Sequence, residues 1–330
     1  MRVLVTGASG FLGGHLARAL RAEGAVGASR GPQTDDSIEW VRPFDPADAH
    51  AARAALLGVD VVIHAAGRAH VLRETQADPL AAFRDANVTA TQVLLDAARE
   101  VGVQRFMLLS SVSVYGDQVS GVVSAETRTA PSTPYGVSRL EAEQVVRDGS
   151  AITTTVLRLP MAYGPGMKGN PLRLFDVVAQ GIPLPLGSIA NRRSALYVGN
   201  LVEAVRRLLS LPLPSGTVLL AADAESVSTA ALVREIATAL GRPSRVFPCP
   251  VPLLRAVARI GDRALGARFP LGPDALWRLE SSLELESGPL WRVVGTPPYD
   301  RSDGLAATAA WYVTRGKPDA FLSQPIFPTR

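Results

Sequence analysis

The amino-acid sequence predicts an α/β fold: a doubly wound parallel sheet carrying a smaller C-terminal substrate lobe. Three observations lead there. Short apolar runs alternate with helical patterns through the first half, a glycine-rich turn joins the first run to the first helix, and prolines and glycines crowd the chain beyond Pro160. Runs that are apolar at every position belong to strands covered on both faces, hence to a parallel sheet between helical layers.

The elements follow in order. Val3-Leu4-Val5 is the first strand, and Phe11–Arg21 is a helix because Leu12, Leu16 and Leu20 recur at helical spacing. A weak strand at Ala25–Ser29, a third strand ahead of Asp45, a helix at Ala47–Leu57 and a strand at Val59–Ala65 continue the alternation. A long helix at Pro79–Val101, a strand at Arg105–Ser110, a helix at Tyr135–Arg147 and a strand at Thr153–Leu159 complete it. Beyond Pro160, helices at Leu172–Gln180, Asn200–Leu209 and Thr229–Leu240 lie between loops, and Val218–Ala221 has the composition to return a strand to the first sheet. The expected division is a dinucleotide-binding domain over 1–160, a substrate-binding lobe over 161–315 with such returns, and a tail over 316–330.

Composition removes several classes of function. A chain of 330 residues buries enough surface to fold without a staple, and its single cysteine, Cys249, excludes an internal disulfide and a Cys-based zinc site, so no metal is expected. The compartment is expected to be reducing. The 34 basic and 30 acidic residues give a net charge of +4, but the arginines are scattered, which argues against nucleic acid and suits a phosphate-bearing small ligand. No apolar run approaches the ~20 residues of a membrane span, so the expectation is a soluble, cytoplasmic protein with no membrane partner. A homodimer is compatible with the sequence, with no surface identified.

Thr6-Gly7-Ala8-Ser9-Gly10-Phe11-Leu12-Gly13 follows the first strand and opens the first helix. Such a turn lets backbone approach a pyrophosphate, while the helix start offers unpaired N–H groups and a favourable dipole. Gly7 makes the turn, Gly10 permits the approach and Gly13 allows close packing of helix on strand. The second strand ends in Ser29-Arg30, with no acid to hold a ribose diol. A guanidinium there binds a 2′-phosphate, so NADP(H) is favoured, with NAD(H) the alternative; Arg42 is a further reader. The competing reading of Arg30 is a surface arginine near Asp35 and Asp36.

The three-and-three glycine spacing resembles the short-chain dehydrogenase/reductases, specifically their extended branch, the NAD-dependent epimerase/dehydratase family with its Rossmann sheet. The resemblance spans Thr6 to about Trp311. It implies that Asp45 contacts the adenine, though Asp45 equally suits an N-cap ahead of Pro46-Ala47, and that Ala65, Ala66 and Gly67 leave room for the cofactor. It also implies Asn87 as a structural bridge and Pro160 beside the nicotinamide. His64 reads as a packed imidazole, and His70 as a loop residue that could face substrate.

Tyr135 and Arg139 stand four apart on one helix face, so a cation can lie under the phenol. An ordinary phenol is a poor acid/base at neutral pH, and a fixed positive charge improves it. Ser111 matches the hydroxyl that the family directs at the reacting oxygen, with Ser113 beside it. The family normally carries lysine where this chain has Arg139, and the two are not interchangeable. Asn170, in Lys168-Gly169-Asn170, and Arg193, in Asn191-Arg192-Arg193-Ser194, resemble contacts to a substrate pyrophosphate.

Gly67-Arg68-Ala69-His70-Val71, the 167–172 stretch and Gly181–Gly187 resemble the bacterial enzymes that reduce the 4-keto group of UDP-4-keto-6-deoxy-N-acetylglucosamine. The implied function is an NAD(P)-dependent reductase of a nucleotide-diphospho-4-ketosugar. The alternatives are a nucleotide-sugar 4-epimerase that retains NAD, and a dinucleotide-binding protein without turnover.

Overall fold

The computed structural model describes residues 1–30, 33, 35–41, 44–69, 76–117, 119, 121–148, 152–265 and 272–315. His70, Arg42 and the 316–330 tail lie outside them. The chain runs β1 (Val3–Thr6), α1 (Phe11–Ala19), β2 (Ala25–Ala28), α2 (Ala49–Leu56), β3 (Val61–His64), α3 (Pro79–Arg84), α4 (Ala90–Val101), β4 (Arg105–Ser111), β5 (Gly121–Val123), α5 (Pro134–Arg147) and β6 (Thr153–Leu159). It continues through β7 (Met161–Tyr163), α6 (Asn170–Ala179), β8 (Ala195–Tyr197), α7 (Val198–Leu208), β9 (Thr217–Leu220), α8 (Thr229–Ala239), α9 (Val251–Leu265), α10 (Pro273–Glu280), β10 (Leu283–Leu285), α11 (Gly288–Val294) and α12 (Arg301–Thr314).

Six strands pair in parallel in the order β2-β1-β3-β4-β6-β9. Every residue of β1, β2 and β3 is buried, which explains the absence of polar alternation in those runs. One face packs a core of Val3, Val5, Leu16, Ile63, Leu201, Val205 and Trp291; the other packs Leu4, Val62, Leu94, Leu108, Ala142 and Val146. The order reverses direction between β1 and β3. In a doubly wound sheet that reversal opens a crevice at the carboxyl ends of the strands, where ligands bind.

The strand at Thr153–Leu159 forms with the expected bounds, and the return strand appears as β9, paired to β6 through Val156 and Leu157. Among the described residues, the strand expected ahead of Asp45 leaves a single bridge, between Gly27 and Trp40. The long helix of 79–101 is not uniform. A π turn at Asp85–Thr89 separates α3 from α4, and it is here that Asn87 turns inward. A separate core of Tyr163, Phe175, Tyr197, Leu232, Ile236 and Leu305 builds the smaller lobe. At its junction with β9, the buried Asp223 accepts hydrogen bonds from Tyr163 Oη (3.1 Å), Tyr197 N (3.1 Å) and Asn200 Nδ2 (2.8 Å). Burial pushes the Asp223 carboxyl and the Tyr163 phenol above their ordinary ranges. Among the described residues, no helix is long and apolar enough to cross a membrane.

Candidate active site

The predicted residues fall at the carboxyl end of the sheet. Gly7, just after β1, has φ of +70°, which only glycine adopts without strain, and a Cβ there would stand 2.7 Å from Ala66 N. A Cβ on Gly13 would meet Gly7 O at 2.3 Å. The turn is thus pressed against the Ala65-Ala66-Gly67 segment after β3, and α1 against the turn. Gly10 caps α1 without any side-chain acceptor, and no acid stands in its first turn. These backbone donors, bare of competing carboxylates and reachable only past glycine, fit a dinucleotide pyrophosphate. Phe11 and Leu12 lean toward the smaller lobe.

Beyond β2, Ser9 and Ser29 join through their hydroxyls at 2.5 Å, and Gln33 Nε2 donates to Ser29 O at 3.0 Å. The Arg30 side chain is 61% exposed, and its Nε lies 4.0 Å from Asp45 Oδ1. Asp45 accepts from Ala47 N at 3.0 Å, but it does not cap α2: Asp48 does, accepting from His50 N (2.8 Å) and Ala51 N (3.2 Å). The helix starts two residues later than expected, so the capping half of the Asp45 reading is corrected.

Asn87 bridges as expected. Its Oδ1 accepts from Arg68 N (2.7 Å), and its Nδ2 donates to Arg68 O (3.1 Å) and Ser138 Oγ (2.9 Å), tying the loop after β3 to α5. Thr91 Oγ1 donates to Asn87 O (2.5 Å), so His64 Nε2 must donate to Thr91 Oγ1 (3.0 Å) and His64 Nδ1 must accept from Thr6 Oγ1 (2.7 Å). Full burial, with the Arg139 charge adding to it, lowers the His64 pKa to about 3. This is a neutral, packed imidazole.

Helix α5 brings the remaining groups together. Thr133 caps it, accepting from Gly136 N at 3.0 Å, and Pro134 opens its first turn. Gly136 sits so close to the chain after β4 that a Cβ there would lie 2.6 Å from Ser113 O. Ser111 Oγ accepts from Ser113 N (3.2 Å) and Ser113 Oγ (3.0 Å), fixing both hydroxyls at the end of β4. Tyr135 is half-buried, its ring tilted against Phe83 at 5.8 Å, and the Arg68 guanidinium stacks over Phe83 at 5.0 Å. Arg139 is 4% exposed. It donates through Nη2 to Leu109 O and presses Nη1 toward Gly67, while its buried Nε has no partner among the described residues. Ser111 and Arg139 therefore both meet the last residues of β4, and Tyr135, one turn before Arg139 on α5, packs against Phe83 of α3. Pro160 closes that end between β6 and β7.

The two residues predicted to contact a substrate pyrophosphate are more scattered. Arg193 donates through Nη1 to Arg278 O (2.8 Å), Ser281 O (3.2 Å) and Ser281 Oγ (3.0 Å), which fixes the chain between α10 and β10 and leaves Nε and Nη2 without partners among the described residues. Asn170 is exposed at the start of α6, and no hydrogen bond joins it to the other predicted residues.

Three further groups bear on the site. His15 on α1 reaches Pro165 O at 2.7 Å, binding the first helix to the loop after β7; burial lowers its pKa to about 4. Glu143, one turn beyond Arg139, pairs with Arg158 of β6 at 2.7 Å and accepts from Ser110 Oγ at 2.5 Å. Arg158 also donates to Tyr115 Oη at 2.8 Å, and that hydroxyl donates to Ser124 O at 2.6 Å. The signal for the pair was an acid on the buried stripe of a helix and an arginine inside an apolar strand.

The sequence matches the NAD dependent epimerase/dehydratase family over residues 3–218. A UDP-glucose 4-epimerase from Vibrio cholerae is 31% identical over 93% of this chain and 94% of its own length. A dTDP-glucose 4,6-dehydratase from Streptomyces griseus is 28% identical over 94% and 93%. Among solved structures, MoeE5 in complex with UDP-glucuronic acid and NAD is 28% identical, covers 95% of this chain and 99% of its own, and superposes with a TM-score of 0.73. The glycine turn, the sheet order and the family match agree: the chain belongs to the NAD-dependent epimerase/dehydratase family.

Proposed function

We propose that the protein is an NADP(H)-dependent reductase of the 4-keto group of a nucleotide-diphospho-sugar. The observation that carries this reading is the end of β2, where the exposed Arg30 follows Ser29 and the strand itself ends without an acidic residue, the Asp45 carboxylate lying 4.0 Å from Arg30 Nε. A 2′-phosphate fits that donor set, and NADPH is exchanged between turnovers in a reductase. The bound nicotinamide supplies hydride to the sugar's C4 carbon. The Tyr135 hydroxyl gives its proton to the C4 oxygen, Ser111 donates a hydrogen bond to that oxygen, and the Arg139 charge stabilises the phenolate left behind. Free donors on Arg193, together with Asn170, bind the substrate pyrophosphate. The arrangement suits a ligand with two phosphates.

A second reading, a 4-epimerase that keeps its dinucleotide, is supported by the 31% identical relative, which bears that name. Identifying the nucleotide that co-purifies and following NADPH oxidation with a UDP-4-keto-6-deoxy-sugar separate the two. Exchangeable NADP(H) with stoichiometric oxidation supports the reductase, and tightly held NAD with interconversion of C4 epimers supports the other. Tyr135→Phe is expected to lower kcat at least about a hundredfold with little change in cofactor affinity, because only the proton donor is lost. Wild-type protein that binds dinucleotide but turns over neither substrate class supports the binding protein without catalysis.

Arg30→Asp tests the cofactor. It is expected to weaken NADPH about tenfold or more while leaving NADH unchanged or tighter, measured by quenching of protein fluorescence. An unaltered NADPH/NADH preference refutes Arg30 as the phosphate reader.

A further inference from the structure

We infer that α9 and the neighbouring α10 form a face that docks on an anionic membrane surface. The large apolar side chains left exposed are thinly spread over most of the fold, but five of them, Phe247, Leu253, Val257, Ile260 and Trp277, fall within one stretch of 31 residues. Helix α9 is held to the lobe by a narrow stripe, Leu254 and Ala258, that is 3% and 1% exposed. Leu253, Val257 and Ile260 recur at i, i+4 and i+7 on the stripe beside it, and they are 55%, 45% and 65% exposed. An apolar stripe of that length with no covering element among the described residues is costly in water.

The charge on this face identifies what covers it. Arg255, Arg259 and Arg263 repeat every four residues along another stripe of α9, and Arg278 is exposed on α10 next to Trp277. Arg255 is paired with Glu280 at 2.6 Å, whereas Arg259, Arg263 and Arg278 have no acidic partner among the described residues. A stripe of exposed aliphatic groups beside Arg255, Arg259 and Arg263, the last two without an acidic partner among the described residues and with Asp262 the one acid on the helix, is the composition of a helix lying in the headgroup plane. A second copy of the chain would bring the same arginines together and meet repulsion. The face also continues to the site, since the carbonyl of Arg278 holds Arg193. The sequence reading expects no membrane partner, because the length of an apolar run tests for helices that cross the bilayer and not for helices that lie on it.

The proposal does not depend on the reaction or on the cofactor. The test is co-sedimentation of the full chain with vesicles of phosphatidylglycerol and phosphatidylcholine, against phosphatidylcholine alone. Binding is expected to be at least about tenfold stronger to the anionic vesicles and to weaken with salt. Arg259→Gln/Arg263→Gln is expected to lose about 30-fold, near fivefold for each charge removed. Val257→Asp/Ile260→Asp is expected to abolish binding, and both variants keep the wild-type unfolding temperature because the altered side chains are exposed. Wild-type protein that fails to sediment, or sediments equally with both vesicles, overturns the proposal. So does a wild-type dimer that Val257→Asp/Ile260→Asp makes monomeric, since a second copy would then cover the stripe.

Discussion

Acidification from pH 7.5 to 4.5 is expected to remove about 5 kcal/mol of folding stability through two histidines alone. His15 and His64 titrate in the folded protein at about 4 and about 3, against 6.5 for an exposed imidazole. Above pH 6.5 neither the folded nor the unfolded chain holds these protons, so the full stability is present. As the pH falls below 6.5 the unfolded chain takes up two protons that the folded one refuses, and each costs about 1.4 kcal/mol per pH unit until its folded pKa is reached. Asp223 works the other way, because burial raises its pKa and its cost is relieved as acid protonates it. The histidines carry the steeper slope above pH 4.5. Urea unfolding at several pH values checks this, with His64→Gln as the control: its amide can still donate to Thr91 Oγ1, and it does not titrate. The variant should show a slope shallower by one proton between pH 6 and 4.5. An unchanged slope would mean that His64 is protonated in the folded state.

The effect also reaches the site. His64 holds Thr6, at the start of the glycine turn, and Thr91, which is bonded to the Asn87 carbonyl. His15 holds the loop after β7. Protonation of folded His64, which comes only near its pKa of about 3, removes the Nδ1 acceptor for Thr6 Oγ1 and loosens the start of the glycine turn, so dinucleotide affinity should hold down to pH 4.5 and fall below it.

The parts legible in the sequence are those in which a local pattern dictates a local geometry. Gly7, Gly10 and Gly13 could be read because strand, turn and helix are contiguous; the steric demand on Gly10 and Gly13 comes from Gly7 and Ala8 in that unit, whereas the close approach of Ala65 and Ala66 to Gly7 comes from the chain after β3 and was not legible locally. Tyr135 and Arg139 share a helix face by periodicity alone. The β9 return could be read from its apolar composition but not its partner strand, since 57 residues separate it from β6. Asp45 was given a capping role because sequence shows a suitable side chain near a helix start, whereas the start itself moved to Asp48 with the backbone. The π turn at 85–89 left no trace in periodicity, because one extra residue shifts the apolar stripe by less than the spread of a buried face. Arg193 reads in the sequence only as a candidate contact to a substrate pyrophosphate, and its three bonds to the 278–281 segment depend on a chain reversal 85 residues away.

The pair formed by Glu143 and Arg158 was the least visible and carries the second large effect. Both side chains are almost fully buried, at 1% and 3% exposure, and every oxygen of the carboxylate is used: Oε1 accepts from Ser110 and Arg158, and Oε2 from Arg158 twice. Glu143→Ala leaves a guanidinium in the interior with only Tyr115 and the Ala125 carbonyl for company, and is expected to cost about 3–5 kcal/mol. The pair itself need not be a net source of stability, because its desolvation offsets most of its attraction. Glu143→Leu/Arg158→Met should therefore recover most of what the single change loses, and chemical unfolding of the two variants distinguishes the cost of an orphaned charge from the worth of the pair. Turnover should not recover with it. Glu143 fixes α5, which carries Tyr135 and Arg139, to the Ser110 position of β4, next to Ser111, and an apolar replacement restores packing without restoring that register. A double variant with wild-type stability and wild-type kcat would show that the network only holds the fold and leaves the geometry of the site to the helix cap and the Leu109 carbonyl.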